Sequence, residues 1–241
     1  MSKKFHLVHV HKVQDLTPHL RRLTLHGDSL ADFPTGMEGA HVKVVVPKPE
    51  QHKSMLSLSN KLAMRSYTIK SFDPDSNQLT LDFVVNRHRG PATDWAKQAK
   101  VGSFVGVAGP GKPKLSDFSW QHYLMVGDIT SLNAVNAFAN KVPKESTLTA
   151  VIAVPTRADI VKLDIPHVDW FIEDEQQGEL AQYVNQVSHN LPKDTQVFIG
   201  VEATQVKQIQ QHLQNELSFE RENIYASNYW AKGLSARQRI T

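Results

Sequence analysis

The period of the apolar positions changes partway along the chain. In the first half, short runs alternate apolar and polar residues: Phe5 to Val10, Leu20 to His26, His41 to Val46, Ser66 to Phe72, Leu79 to Val85 and Phe104 to Val107. Period two is the spacing of a half-buried strand, whose successive side chains point to opposite faces. Gly27-Asp28, Phe33-Pro34-Thr35-Gly36 and Gly39 break the runs, and Asp73-Pro74-Asp75-Ser76-Asn77 joins two of them into a hairpin. Short strands punctuated in this way predict a small antiparallel β-barrel. One helical signal lies among them, Gly90 to Ala99, with Pro91 just inside its start.

From Gln121 the texture is different. Compact apolar strands at 122–126, 147–154, 168–172, 196–200 and 223–228 alternate with helical stretches at 131–140, 178–189 and 203–217. Strands alternating with helices predict a mostly parallel sheet covered on both faces. The expected architecture is an N-terminal antiparallel β-barrel, residues 1–117, followed by a C-terminal α/β domain with a mostly parallel sheet, residues 118–241.

Composition narrows the function. The chain of 241 residues has 40% hydrophobic and 21% charged residues, ample for a soluble core. No apolar run approaches the ~20 residues needed to span a bilayer, and polar residues interrupt the N-terminus, so neither membrane span nor signal peptide is expected. The absence of cysteine excludes disulfides, thiolate catalysis and thiolate-held metal clusters, and makes the cytoplasm the expected address. A net charge of +3 with scattered histidines gives no basic stripe for nucleic acid. No stretch advertises an apolar interface, so a monomer is expected.

The candidate chemistry begins at Arg65-Ser66-Tyr67-Thr68-Ile69-Lys70. Read as a strand, it would present an arginine fork, an aromatic ring and a small hydroxyl in a row on one face, equipment for a phosphorylated cofactor with a planar head. An ordinary strand with an exposed Arg and Tyr is the competing reading. Gly90-Pro91 opens a helix whose first N–H groups suit phosphate, although the pair equally serves to turn the chain. In the second half, Gly127-Asp128-Ile129-Thr130 and Gly200-Val201-Glu202-Ala203 sit at carboxyl ends of strands, where parallel sheets form ligand crevices. Neither is a G-x-G-x-x-G fingerprint.

Arg65-Ser66-Tyr67-Thr68 resembles the R-x-Y-[ST] flavin motif of ferredoxin-reductase-like flavoproteins. With Asp82-Phe83-Val84, Gly90-Pro91-Ala92, Trp95-Ala96, Gly127-Asp128-x-Thr130 and Tyr229-Trp230-x-Lys232-Gly233, the chain resembles the siderophore-interacting proteins, bacterial FAD-containing ferric-siderophore reductases. The resemblance implies that Arg65 pairs with the FAD pyrophosphate, that Tyr67 packs beside the flavin and its ribityl chain, and that Thr68 bonds near the reactive nitrogen. Ile69 and Val84 would give backbone contacts and apolar walls. Gly90, Ala92 and Thr93 would give N–H groups to the pyrophosphate, and Trp95 would shape the adenine end. Ser66, Asp82, Asn86 and Pro91 complete the cofactor set. Tyr229 and Trp230 either return toward the flavin or pack the last strand against the barrel.

This chain departs from the family pattern at Asn86, where the family has histidine, and at Ile129 and Val201, where its donor-side loops carry glutamate and glycine. The donor is thereby opened to two readings, NAD(P)H or a small protein such as ferredoxin. Gly127, Asp128, Thr130 and Glu202 would order donor binding, unless the two carboxylates only shape their loops. Ferric siderophores are commonly anionic, so Lys48 and Lys232 are the candidate docking cations among surface lysines. No catalytic acid, nucleophile or metal site is expected, because the chemistry resides in the flavin. A general NAD(P)H–flavin oxidoreductase and a non-catalytic flavin- or siderophore-binding module are the alternatives.

Overall fold

The first strand runs well beyond its alternating pattern. In the computed structural model, which describes residues 4–47 and 64–233, β1 (Phe5–Thr17) spans 13 residues. It pairs with β6 (Phe104–Ala108) through Phe5 to His9 and with β2 (Leu20–His26) from His9 onward. Register shifts between Val10 and Lys12 and between Asp15 and Thr17 bend it, as bulges do, so that one strand serves two neighbours. With β3 (His41–Val45), β4 (Met64–Asp73) and β5 (Gln78–Val84), the order β1-β2-β5-β4-β3-β6 closes into an antiparallel barrel. Closure leaves no unpaired sheet edge.

Alternate residues fill the barrel: Val8 and Val10, Leu23 and Leu25, Val42 and Val44, Leu79, Leu81 and Phe83, Val105 and Val107 are all buried. His6 also takes an inward position. Its Nδ1 is bonded to the Ser29 carbonyl and its ring meets the edge of Phe33, so this buried polar group is satisfied. The helix α1 (Pro91–Gln98) adds Ala92 and Ala96, with the following Ala99, to the same core. Arg21 of β2 holds its far end: Nη1 donates to the carbonyls of Ala96 and Lys97, at 3.2 and 2.6 Å, while the rest of the fork grips Asp15. A cation on the last carbonyls satisfies them and complements the helix dipole.

The chain divides into two compact units after Pro113. The second holds β7 (His122–Asp128), β8 (Thr147–Val154), β9 (Asp169–Ile172), β10 (Gln196–Glu202) and β11 (Ile224–Trp230), ordered β11-β10-β7-β8-β9 with every pair parallel. On one face, α3 (Leu180–Ser188) and α4 (Ala203–Asn215) bury Val184, Val206, Ile209 and Leu213 against Val197 and Ile199. Phe198 points the other way and meets Phe138 of α2 (Leu132–Ala139), centroids 5.0 Å apart. The strand order reverses between β7 and β10, which makes their carboxyl ends the switch point of the sheet. The last strand was expected to stop at residue 228; β11 continues through Trp230, which pairs with Glu202 past a register shift. Among the described residues no helix is long and apolar enough to cross a membrane.

Candidate functional site

Strand β4 divides its functional side chains between two faces. Arg65 lies opposite Val44 and Tyr67 opposite Val42, whereas Ser66 lies opposite Lys43 and Thr68 opposite His41. Directly paired residues share a face. Arg65 and Tyr67 therefore project on the side of the barrel core, and Ser66 and Thr68 project on the other. The expected single row of fork, ring and hydroxyl is corrected: period two separates the hydroxyls from the arginine and the ring. Ser66 Oγ accepts from Lys43 Nζ at 2.6 Å. Ile69 is fully buried and Val84 nearly so, which restricts both to backbone contacts and apolar walls.

Arg65 is half-buried, and one of its N–H groups donates to the Met64 carbonyl at 2.7 Å. The half-buried Tyr67 ring lies 4.2 Å from Phe83, and Phe83 lies 5.9 Å from Trp95 of α1. Three rings from β4, β5 and α1 thus run in contact, and Phe83, the middle one, was not among the expected site residues. Burial pushes the Tyr67 phenol above the ordinary tyrosine range, against the pull of the Arg65 charge, so the hydroxyl keeps its proton at neutral pH. Asp82 points to a partner within the barrel: Arg22 donates through Nε and Nη2 to its two oxygens, both at 2.7 Å. This bond outweighs burial and raises the arginine further. Asn86 holds the left-handed conformation at φ 62° and donates Nδ2 to the Pro18 carbonyl at 2.9 Å, turning the chain from β5 toward α1. Asparagine tolerates that region better than most residues.

At the start of α1, Gly90 offers no side-chain cap, Pro91 occupies the first turn, and Ala92 and Thr93 are buried. A Cβ at Gly90 would meet nothing within 4 Å. The first-turn N–H groups and the positive end of the helix dipole are thus left for an anion. An arginine fork and an uncapped helix start, linked by a contiguous row of rings, fit a ligand with a pyrophosphate and a planar head. FAD meets both requirements.

The second unit uses the same kinds of groups differently. Gly127 and Gly200 are paired in register at the switch point. A Cβ on Gly127 would lie 2.7 Å from Ser131 Oγ and Val135 Cγ2, and one on Gly200 would lie 2.8 Å from the Tyr229 ring. Glycine therefore admits α2 at one position and the tyrosine at the other. Asp128 is buried; Oδ1 accepts from the Thr130 amide at 2.8 Å and hydroxyl at 2.5 Å, and Oδ2 accepts from Trp230 Nε1 at 2.7 Å. Burial raises its pKa, with the Thr130 and Trp230 bonds opposing. Glu202 caps α4, accepting from the amides of Thr204 at 2.6 Å and Gln205 at 3.3 Å, and its other oxygen accepts from the Lys232 amide at 3.0 Å. Burial raises this carboxyl, but the Lys232, Thr204 and Gln205 amides outweigh it and hold it below the usual range.

Two carboxylates from β7 and β10 thus fasten the end of β11. These ties join residues 102 and 30 positions apart, for which no local signal exists. Lys232 is exposed, whereas Lys48 lies outside the described residues. Among the described residues no group of three or more histidines or acids is placed to hold a metal ion.

Residues 9–114 match the siderophore-interacting FAD-binding domain, and residues 120–233 match the siderophore-interacting protein domain. The ferric vibriobactin reductase ViuB of Vibrio cholerae is 30% identical, over 90% of this chain and 86% of that protein. The siderophore-interacting protein SipS of Aeromonas hydrophila superposes with a TM-score of 0.80 at 32% identity, over 96% of this chain and all of that one, 100%. A ferredoxin reductase of carbazole 1,9a-dioxygenase shares the fold, with a TM-score of 0.72 at 16% identity over 95% of this chain and 70% of that one. With a flavin-type barrel, a parallel-sheet unit and relatives matched along nearly the whole of both, this chain belongs to the siderophore-interacting protein family.

Proposed function

We propose that the protein is an FAD-dependent ferric-siderophore reductase. The reading is carried by the 30% identity to a ferric vibriobactin reductase, which extends over 90% of the chain. Residues 1–117 form the flavin-binding half and residues 118–241 the donor-side half. Arg65 and the α1 amides of Ala92 and Thr93 hold the pyrophosphate, and Gly90 and Pro91 keep that approach open. Tyr67 lies along the flavin and Trp95 bounds the adenine, while Ser66 and Thr68, whose hydroxyls face the other side of β4, contribute through the strand backbone. The chemistry that bound FAD would supply is two-electron acceptance from the donor and one-electron delivery to iron.

The substrate is Fe(III) held by hard siderophore oxygens. One electron converts it to Fe(II), which those ligands hold less tightly, and the metal is released. One hydride equivalent thereby reduces two ferric ions and leaves one proton. Lys48 and Lys232 attract the negative charge of the substrate. The donor is NAD(P)H. A small protein donor such as ferredoxin is the second reading, favoured because Glu202 already occupies the α4 amides, one of the two helix starts at the switch point.

The test is anaerobic. Flavin absorbance is recorded as NADH, NADPH or reduced ferredoxin is added, and then as a ferric siderophore follows. Bleaching by one donor and prompt reoxidation by the siderophore is the expected result. A flavin that no donor bleaches would leave only the binding module. Equal rates with free flavin or simple ferric chelates would replace the proposal with a general flavin oxidoreductase.

A further inference from the structure

Several histidine rings are bonded within the chain: His6 to the Ser29 carbonyl, His122 to Thr147, His167 to Asp169 and His212 to Glu216. His11 and His26 differ. Their rings lie side by side on the barrel, with centroids 6.2 Å apart and planes tilted by 50°. Neither ring has a hydrogen bond or ion pair among the described residues. The backbone explains why they meet. His11 is the extra residue at the register shift of β1, between Val10, which pairs with Leu25, and Lys12, which pairs with Thr24. A bulge leaves its extra residue unpaired and re-aims that side chain. Val10 and Leu25 fill the barrel, so His26, next along β2, points outward, and His11 is exposed beside it. On that outer face Gln78 of β5 is paired directly with His26.

We propose that His11 and His26 hold a divalent transition-metal ion on the outer face of the barrel, one ring nitrogen from each. Two imidazoles that share a metal at about 2.1 Å place their ring centroids roughly 5–6.5 Å apart, depending on the angle at the metal. The observed separation falls in that range. No third histidine or acid completes the set among the described residues. Water therefore fills the remaining positions, and the site is an open one. Imidazole nitrogen suits zinc, nickel, copper and iron, whereas magnesium and calcium take oxygen ligands. The proposal is independent of the flavin reading.

The test uses the FAD-loaded full chain. Zn(II) and Ni(II) are titrated by calorimetry, with Mg(II) as the cation that imidazole does not suit, and the histidine ring signals are followed by NMR with Zn(II). Saturable binding of Zn(II) and Ni(II) is expected, with the His11 and His26 signals moving together and Mg(II) moving neither. His11→Gln and His26→Gln should each weaken binding at least about tenfold, since even the outer-shell partner of a ligand is worth that much. Flavin content should stay the same in both. Absence of saturable binding, equal binding of Mg(II), or an affinity unchanged in either variant overturns the proposal. So does Zn(II) binding that leaves the two ring signals in place.

Discussion

Two helix starts, α1 in the barrel unit and α4 in the parallel-sheet unit, each follow a strand and are treated oppositely. In the barrel unit, α1 is secured at its C-terminal end by Arg21, while its N-terminal amides receive no side-chain cap and Gly90 keeps the approach clear. In the parallel-sheet unit, the α4 amides are taken by Glu202, and Asp128 lies buried at the neighbouring strand end. Fixing a helix by its C-terminus leaves its N-terminal field for an anion, whereas capping the N-terminus with the chain's own carboxylate spends that field on stability. An anion is therefore better matched to the start of α1 than to the start of α4, while α2, at the same switch point, also begins without a side-chain cap.

The contrast is broken most severely by removing the barrel's own cation. Arg65→Ala should lose about 1.5–3 kcal/mol of flavin binding, the worth of hydrogen bonds to a charged group, seen as a low ratio of flavin to protein absorbance after desalting. Asp128→Ala acts on the other unit. It strands the Trp230 and Thr130 donors and should destabilise the fold by about 1–3 kcal/mol in urea unfolding while leaving flavin content unchanged. A smaller change would make α1 resemble α4. Gly90→Asp has room for its side chain and supplies a cap, so it should weaken FAD retention about tenfold while the apoprotein melts no earlier. The converse, Glu202→Ala, should cost about 1 kcal/mol of stability and no flavin.

The two carboxylates should also differ in their response to pH. Glu202 lies below the ordinary carboxyl range, so its contribution is full above the unfolded-state value and is lost as pH falls through the folded one. Asp128 lies above that range, so its contribution is full in acid and is lost as pH rises through its folded value. Melting curves from acid to neutral pH should show the gap between the unmodified protein and Glu202→Ala widening, and the gap to Asp128→Ala narrowing.

The barrel and the parallel sheet were legible because alternation and strand–helix succession are local patterns. The start of α1 was legible for the same reason, since Gly90-Pro91 is a contiguous signal. What misled the reading of β4 was its company of residue types: Arg65, Ser66, Tyr67 and Thr68 suggest one binding face, although adjacent residues on a strand face opposite ways. Asp82 illustrates a second limit. Its motif suggests a cofactor contact, but the residue facing it across the β2–β5 pair is Arg22, from 60 positions away.

By itself, the sequence determined the order of elements, the change from barrel to parallel sheet and the residue types available for a flavin. Only the tertiary structure decided which of those residues are already engaged. Asp128 and Glu202 read either as donor-ordering acids or as loop-shaping ones until β11 is laid beside β10 and brings Trp230 and Lys232 to them. The physical reason is that a hydrogen-bonding group's role depends on the partners within about 3 Å of it, and here those partners are supplied by strand pairing across distant parts of the chain.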